Sequence, residues 1–236
     1  MRSRFLSFMS LNLQLRNWLL AFSLIVTALV ALPASAKLIS PSTQKILVFG
    51  DSLSASYGVP QGQGWVALLE TKLAQKQSSK TSCKVVNASI SGETTSGGLA
   101  RFSAALTTHQ PNIVILELGA NDGLRGLPIA EMQTNLSQMI TQAKTVNAKV
   151  LLLGMRIPPN YGLKYSKNFS ATYTRLAKQH NIALVPFLLE SVAGKPELIQ
   201  ADGLHPTATA QAQLLENVWK ILERMLSEML NYKASL

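Results

Sequence analysis

The chain has 236 residues, of which 47% are hydrophobic and 14% charged, and its formal net charge is +10. This length and apolar content are enough for a sizeable core, so the composition excludes a disordered protein and favours a single domain. The basic residues are scattered along the chain, so we expect a solvated basic surface and no nucleic-acid partner.

The first 36 residues have the pattern of a secretory signal peptide. They hold three arginines and no acid, an apolar segment spans residues 18–32, and Ala34 and Ala36 supply the small residues of a cleavage site. The apolar segment is shorter than the roughly 20 residues that a membrane-spanning helix needs. We therefore expect cleavage after Ala36, no stable membrane span in the mature chain, and export to the periplasm or the medium. An uncleaved N-terminal anchor is the alternative.

Five apolar runs rich in β-branched residues predict strands, at residues 45–50, 83–88, 112–119, 149–155 and 182–187. Helical patterns separate or follow them, at residues 65–77, 129–146, 169–180 and 208–231. This alternation predicts an α/β fold, a three-layer α/β/α sandwich around a five-stranded parallel, flavodoxin-like sheet. No repeat, linker or change of composition follows the signal, so we expect residues 37–236 to form one domain. The segment 155–167 is the one long irregular loop predicted, and such loops often bind ligands.

Polar residues follow every predicted strand. In chain order they are Asp51 and Ser52; Ser91, Gly92 and Glu93; Gly119, Asn121 and Asp122; Arg156; and Asp202 and His205. Ligands of open α/β sheets bind at the carboxyl ends of the strands, so these side chains are expected to meet at one edge. Ser52 is either a helix cap or a nucleophile in this setting. The flanking residues do not spell the serine motif of α/β-hydrolases, so that motif does not decide between the two roles.

The spacing of Asp202 and His205 fits an acid–base pair. A carboxylate three residues before a histidine can bind one ring nitrogen, while the other nitrogen takes a proton from a hydroxyl such as that of Ser52. The alternative is that Asp202 caps a turn and His205 is an ordinary loop histidine. His109 and His180 are competing bases, but neither has a carboxylate at useful spacing.

Other kinds of site find little support. Three scattered histidines and one cysteine give no metal-ligand spacing, and no phosphate-binding glycine motif follows a strand, so we expect neither metal nor cofactor. Cys83 lies in a predicted strand and is read as a structural thiol. For a developing oxyanion, the backbone of Gly92 and the amide of Asn121 are candidate donors, although each also fits a plain turn residue.

These residues resemble a known pattern. "GDSLS" at Ser52, "SGETTSGG" at Gly92, "GANDGLRG" at Asn121 and "DGLHP" at Asp202 and His205 are similar, in order, to the four blocks of the GDSL, or SGNH, hydrolase family. The resemblance covers nearly all of the chain after the signal. Other stretches, such as "PPNYG", resemble periplasmic members that act on acyl-CoA, lysophospholipids and aryl esters.

The resemblance implies an exported serine hydrolase of esters and thioesters. Ser52 would be the nucleophile, His205 the general base and then acid, and Asp202 the residue that orients His205. The backbone N–H groups of Ser52 and Gly92 and the side chain of Asn121 would form the oxyanion hole.

The resemblance also implies an apolar groove for the acyl chain, formed by residues 123–128 and 156–162, with Ile157, Pro158 and Tyr161 binding substrate. We expect a monomer that takes small acyl esters or thioesters. Two alternatives remain: a carbohydrate acetylesterase, which uses the same four blocks, and a non-catalytic lipid carrier.

Overall fold

A parallel sheet of five strands forms the centre of the computed structural model, which describes residues 42–76 and 81–234. The strands are β1 (Ser42–Gly50), β2 (Thr81–Asn87), β3 (Ile113–Glu117), β4 (Lys149–Leu153) and β5 (Ala183–Val185). Their order is β2-β1-β3-β4-β5, and each neighbouring pair is parallel. This is the flavodoxin-like order, so the predicted fold class is confirmed.

Six helices follow in the described part of the chain. They are α1 (Trp65–Gln75), α2 (Thr95–His109), α3 (Ala120–Leu124), α4 (Ile129–Thr145), α5 (Leu163–His180) and α6 (Gln211–Ala234). α1 packs against α6, while α4 packs against both α2 and α5. The two groups of helices cover the sheet, which explains why β3 and most of β1 and β4 are buried along their length.

The predicted signal peptide, residues 1–36, lies outside the described residues. Ser40–Leu236 groups as one compact unit. Among the residues that the structure describes, no helix combines the length and apolar character that crossing a bilayer requires.

Three helical features differ from the sequence prediction: α2, the short α3 and the start of α5. α2 was not predicted, because Gly97 and Gly98 near its start lower helix propensity and resemble a loop. Thr94 caps it by accepting a hydrogen bond from the N–H of Gly97 at 3.3 Å. A Cβ at Gly98 would come within 2.4 Å of the Leu118 side chain, so the glycine lets α2 pack closely on the chain after β3.

The segment predicted as an irregular loop, 155–167, is partly helical. A short 3₁₀ turn spans Pro159–Tyr161, and α5 begins at Leu163, six residues before the predicted start. The apolar periodicity of α5 becomes regular only from Phe169, because its first turns are exposed to solvent. A helix turn without a buried face leaves no periodic signal in the sequence.

Candidate active site

Ser52 lies on the turn that follows β1. Its backbone C=O accepts from the N–H of Tyr57 at 3.0 Å, and the N–H of Leu53 donates to Oδ1 of Asp51 at 3.1 Å. Gly50 precedes this turn, where a Cβ would stand 2.5 Å from Oε2 of Glu117. The absence of a side chain at residue 50 therefore lets the Glu117 carboxylate lie against the end of β1.

The structure brings Ser52, His205 and Asp202 together. Nε2 of His205 lies 2.8 Å from Oγ of Ser52, and Nδ1 of the same ring lies 2.6 Å from Oδ2 of Asp202. The ring of Tyr57 packs beside the His205 ring, with 4.6 Å between their centres. A hydroxyl, an imidazole and a carboxylate thus form a hydrogen-bonded chain, although Ser52 and His205 are 153 residues apart in sequence.

Asp202 both caps a turn and binds the ring of His205, the two roles that the sequence left as alternatives. Its Oδ1 accepts from the N–H groups of Leu204 at 2.9 Å and His205 at 3.0 Å, while Oδ2 binds the ring. The backbone hydrogen bond from His205, then that from Leu204, and then the ring lower the pKa of Asp202 to about 2. The carboxylate therefore stays charged at neutral pH and favours the ring tautomer with hydrogen on Nδ1.

The predicted oxyanion donors follow β1, β2 and β3: Ser52 and Gly92 lie on turns, and Asn121 lies in the first turn of α3. Gly92 has a φ of +79°, a conformation that favours glycine. Within the described residues, the N–H groups of Ser52 and Gly92 donate to no backbone carbonyl. The N–H of Ile90 donates to the C=O of Gly50 at 3.0 Å, which ties the turn bearing Gly92 to the end of β1.

Asn121 is held by two acceptors. Its Nδ2 donates to Oδ2 of Asp51 and to the C=O of Glu93, each at 3.1 Å. Glu93 forms an ion pair with Arg101. Asn121 therefore joins the turns that follow β1 and β2, and its two amide hydrogens are fixed in direction.

Glu117, the last residue of β3, was missed by the sequence analysis. It is fully buried, and its Oε2 accepts from the hydroxyl of Ser54 at 2.8 Å and from the N–H of Asp51 at 3.2 Å. Burial raises the pKa of Asp51 to about 6, opposed by hydrogen bonds such as that from Leu53. Burial and then the charge of Asp51 raise the pKa of Glu117 well above its ordinary value. The signal available in the sequence was an acidic residue at the end of an otherwise apolar strand.

A second buried carboxylate fixes the start of α2. Oδ2 of Asp122 accepts from the N–H of Thr95 at 2.9 Å, and Oδ1 accepts from its hydroxyl at 2.6 Å. The amide of Asn135, on α4, donates to the same hydroxyl at 3.2 Å. Because Asp122 is next to Asn121, this network fixes α3 relative to its neighbours.

The predicted substrate-binding residues occupy different environments. Ile157 is 7% exposed, and a Cβ on Gly123 would be 2.8 Å from it, whereas Pro158 and Tyr161 are exposed. Two surface cavities, of about 360 and 410 Å³, are lined by other residues, the first between α4 and α5 and the second beside α1. Neither is lined by Ser52, His205 or Asp202, so the serine lies outside both.

The two competing histidines lie away from Ser52. His109 is the last residue of α2. Nε2 of His180 lies 2.8 Å from Oγ of Ser137, and burial, followed by the charge of Lys144, lowers the pKa of this histidine.

Cys83 is half-buried in β2, where burial raises the pKa of its thiol. The described residues contain no cluster of three histidine, cysteine or acidic side chains arranged to hold a metal.

Comparison with known proteins gives consistent matches. The sequence model of the GDSL-like lipase/acylhydrolase family matches residues 48–213. Esterase TesA of Pseudomonas aeruginosa is 51% identical over 185 residues, covering 78% of this chain and 90% of its own. Thioesterase 1/protease 1/lysophospholipase L1 of Escherichia coli K12 is 43% identical over 182 residues, covering 77% and 85%.

A solved structure agrees with these sequence matches. The psychrotrophic esterase EstA from Pseudoalteromonas, in a form inhibited by monoethylphosphonate, superposes with a TM-score of 0.74 at 42% identity, covering 78% of this chain and 99% of EstA. The family match spans most of the chain, and the TesA and EstA matches each cover at least 90% of the other protein. The chain belongs to the GDSL-like lipase/acylhydrolase family and is an enzyme that hydrolyses ester bonds.

Proposed function

We propose that the protein is an exported serine hydrolase of carboxylic esters and acyl thioesters, with Ser52 as its nucleophile, His205 as its general base and Asp202 as the residue that orients the base. The observation that carries this proposal is the distance of 2.8 Å between Oγ of Ser52 and Nε2 of His205, with Oδ2 of Asp202 2.6 Å from the other ring nitrogen. A hydroxyl is activated in this way because the imidazole accepts its proton during attack.

Acylation begins when Oγ of Ser52 attacks the carbonyl carbon and its proton moves to Nε2 of His205. The charge of Asp202 stabilises the imidazolium that forms. As the tetrahedral intermediate collapses, the bond to the leaving group breaks, and the imidazolium supplies a proton to the departing alkoxide or thiolate. In the second half-reaction, water attacks the acyl group on Ser52 with His205 again as base, and the acid is released.

The negative oxygen of the intermediate is stabilised by the N–H groups of Ser52 and Gly92 and by the amide of Asn121. The resting contacts of Asn121, to Asp51 and to Glu93, support this role because they hold the amide nitrogen fixed before substrate arrives. Because both amide hydrogens are engaged in the resting site, donation to the oxyanion replaces one of these two hydrogen bonds.

The substrate range follows from the relatives. One is named an esterase, another an arylesterase and a third a thioesterase and lysophospholipase, so we propose aryl esters, acyl-CoA and lysophospholipids as substrates. The sequence pattern of residues 1–36 supports export, to the periplasm or the medium. We propose that the mature enzyme works as a monomer, without metal or cofactor, and that Ile157, Pro158 and Tyr161 border its acyl groove.

Labelling with a fluorophosphonate tests the mechanism. We expect a single adduct, at Ser52, and none at the exposed Ser91, which serves as the internal control. Ser52→Ala and His205→Ala are each expected to lower kcat by roughly 10³- to 10⁶-fold, the range of triad deletions. An unlabelled Ser52, with full esterase activity in both variants, contradicts the mechanism.

The same preparations distinguish the substrate classes. Aryl esters, acyl-CoA, a lysophospholipid and an acetylated sugar are assayed in parallel. Turnover of the first three supports the proposed range, whereas turnover of the sugar ester alone identifies a carbohydrate acetylesterase. Binding of fatty acid without turnover of any ester identifies a lipid carrier.

A further inference from the structure

The exposed apolar side chains of the described residues are concentrated at one edge of the sheet. Seven large hydrophobic residues are exposed in this part of the chain. Six of them, here called the apolar rim, follow the carboxyl ends of the strands: Tyr57, Ile90, Leu127, Tyr161, Leu163 and Leu204. Each of the five strands is followed by at least one of the six, whereas Val146 alone lies at the opposite edge.

Contacts between the loops link part of the apolar rim to the active site. The ring of Tyr57 packs beside His205, and Arg125 donates to the C=O of Gly92 at 2.9 Å, two residues after Ile90. The hydroxyl of Tyr165 donates to the C=O of Leu127 at 2.8 Å. The loops that carry the rim therefore lie at the same edge of the sheet as Ser52, and exposed apolar side chains grouped at one edge mark an interaction site.

The connections that follow β3 and β4, which carry Leu127, Tyr161 and Leu163 of the apolar rim, have exposed charges of one sign. The connections that follow β3 and β4, residues 118–128 and 154–168, carry four exposed cations: Arg125, Arg156, Lys164 and Lys167. The single acid of these two connections, Asp122, is buried. Arg156 lies 3.8 Å from Glu190, but the other three cations have no ion-pair partner among the described residues.

We propose that the apolar rim, together with Lys164 and Lys167, docks the enzyme on an anionic lipid surface with the Ser52 site facing the lipid. Apolar side chains enter the interface, and lysines beside them gain attraction from anionic headgroups. Leu163 is best placed for insertion, because it is 80% exposed at the exposed start of α5 and is followed directly by Lys164.

A second copy of this chain is a poorer occupant for the same surface. In a symmetric dimer that buries the β3 and β4 connections of both copies, exposed charges of the same sign would be brought together. An anionic lipid surface instead supplies the opposite charge. It also contains the amphiphilic esters that the proposed function assigns as substrates, and in that respect the inference rests on the proposed function.

Vesicle binding tests the docking without requiring catalysis. Ser52→Ala protein is mixed with vesicles of phosphatidylcholine, either pure or with about a third phosphatidylglycerol, and the bound fraction is measured by flotation at low and high salt. We expect binding to the anionic vesicles and its loss at high salt. Added to this background, Leu163→Ser is expected to weaken binding by about tenfold, and Lys164→Ala by about fivefold.

Val146→Ser is the matched control, because Val146 is 48% exposed but lies away from the apolar rim, and its binding is expected to be unchanged. Equal weakening by Val146→Ser and Leu163→Ser, or no preference for anionic vesicles, overturns the proposal. Each rim variant with Ser52 intact is also assayed on a soluble short-chain ester, where we expect activity to be retained. For the unsubstituted protein, activity on this ester without vesicle binding rejects the docking alone, whereas vesicle binding without esterase activity rejects the proposed function alone.

Discussion

The amide nitrogen of Asn121 lies 3.1 Å from Oδ2 of Asp51, so the carboxylate next to Ser52 in sequence holds an amide donor and not the histidine. Asp202, far away in sequence, binds the ring of His205. Two acids thus serve two different parts of the site. The separation explains how Asp51 can be fully buried, with its pKa raised to about 6, while Asp202 keeps a lowered pKa of about 2 and remains a charged partner for the imidazole.

Replacing Asn121 tests its role as a donor. Asn121→Ala is expected to lower kcat by about 10²- to 10³-fold with little change in KM, because an oxyanion donor acts in the transition state. Asn121→Asp should be at least as damaging, since a carboxylate cannot donate and would repel Asp51. The control is Asn112→Ala at the other end of β3, where the side chain only accepts from Lys45. Equal kcat for wild type and Asn121→Ala contradicts the assignment.

The buried pair of Asp51 and Glu117 predicts how stability depends on pH. Both pKa values are raised in the folded protein, that of Asp51 from 3.8 to about 6, so folding takes up protons. The stability that this proton uptake contributes is fully present below the pKa values of the unfolded chain. It is lost as pH rises through the pKa values of the folded protein. We expect the free energy of unfolding to fall between about pH 4 and pH 7. Asp202 contributes little in this window, because its stabilisation is lost only on acidification toward its pKa of about 2.

Glu117→Gln tests whether the pair of Asp51 and Glu117 causes this pH dependence. The amide can replace both the acceptor and the donor of the protonated acid, while removing one of the two titrating groups, so the fall in stability with pH should become shallower. Urea unfolding at several pH values measures it, and Glu70→Gln, on the exposed face of α1, is the control. An unchanged slope in Glu117→Gln alone would show that Glu117 does not titrate with folding.

Asp202→Asn separates the two tasks of this carboxylate. The amide oxygen can keep the hydrogen bonds from the N–H groups of Leu204 and His205, but its NH₂ group cannot accept from the ring. We expect kcat to fall by roughly 10³- to 10⁴-fold, because the imidazole loses its orientation. The melting temperature should change little. Glu197→Gln, an exposed acid in the same connection, is expected to retain wild-type kcat.

The sequence was sufficient for the existence of the five strands and for the residues at their ends. Short apolar runs predict buried strands from composition alone, and the carboxyl-edge rule then brings Ser52, Asp202 and His205 to one side. Local patterns could not predict α2, because Gly97 and Gly98 are favourable there only through packing against the chain after β3.

Glu117 was beyond local patterns for a related reason. A carboxyl group is tolerated in a buried strand only when partners from other elements compensate its burial, here Ser54 and Asp51. Those partners lie more than 60 residues away in sequence. Their proximity follows from the pairing of β1 with β3, which the sequence does not state directly.

Gly119 predicts a coupled effect on stability and activity. Its φ is +114°, and a Cβ there would stand 2.4 Å from the hydroxyl of Tyr173, which itself donates to the C=O of Leu118 at 3.0 Å. Gly119→Ala is expected to cost about 1–3 kcal/mol in unfolding free energy from backbone strain alone, with the steric clash in addition. Helix α3 begins at Ala120 and carries Asn121, so a shift of the backbone at residue 119 should displace this donor and lower kcat as well.

A double-mutant cycle separates strain from clash. Tyr173→Phe removes the hydroxyl that the new Cβ would meet, at the cost of an unpaired C=O on Leu118. In Gly119→Ala with Tyr173→Phe, we expect a destabilisation smaller than the sum of the single variants by about 0.5–3 kcal/mol, the range for residues in contact. Strictly additive free energies from urea unfolding would show that only the backbone conformation requires glycine at residue 119. Recovery of kcat in the double variant would show that the clash, acting through the start of α3, had displaced Asn121.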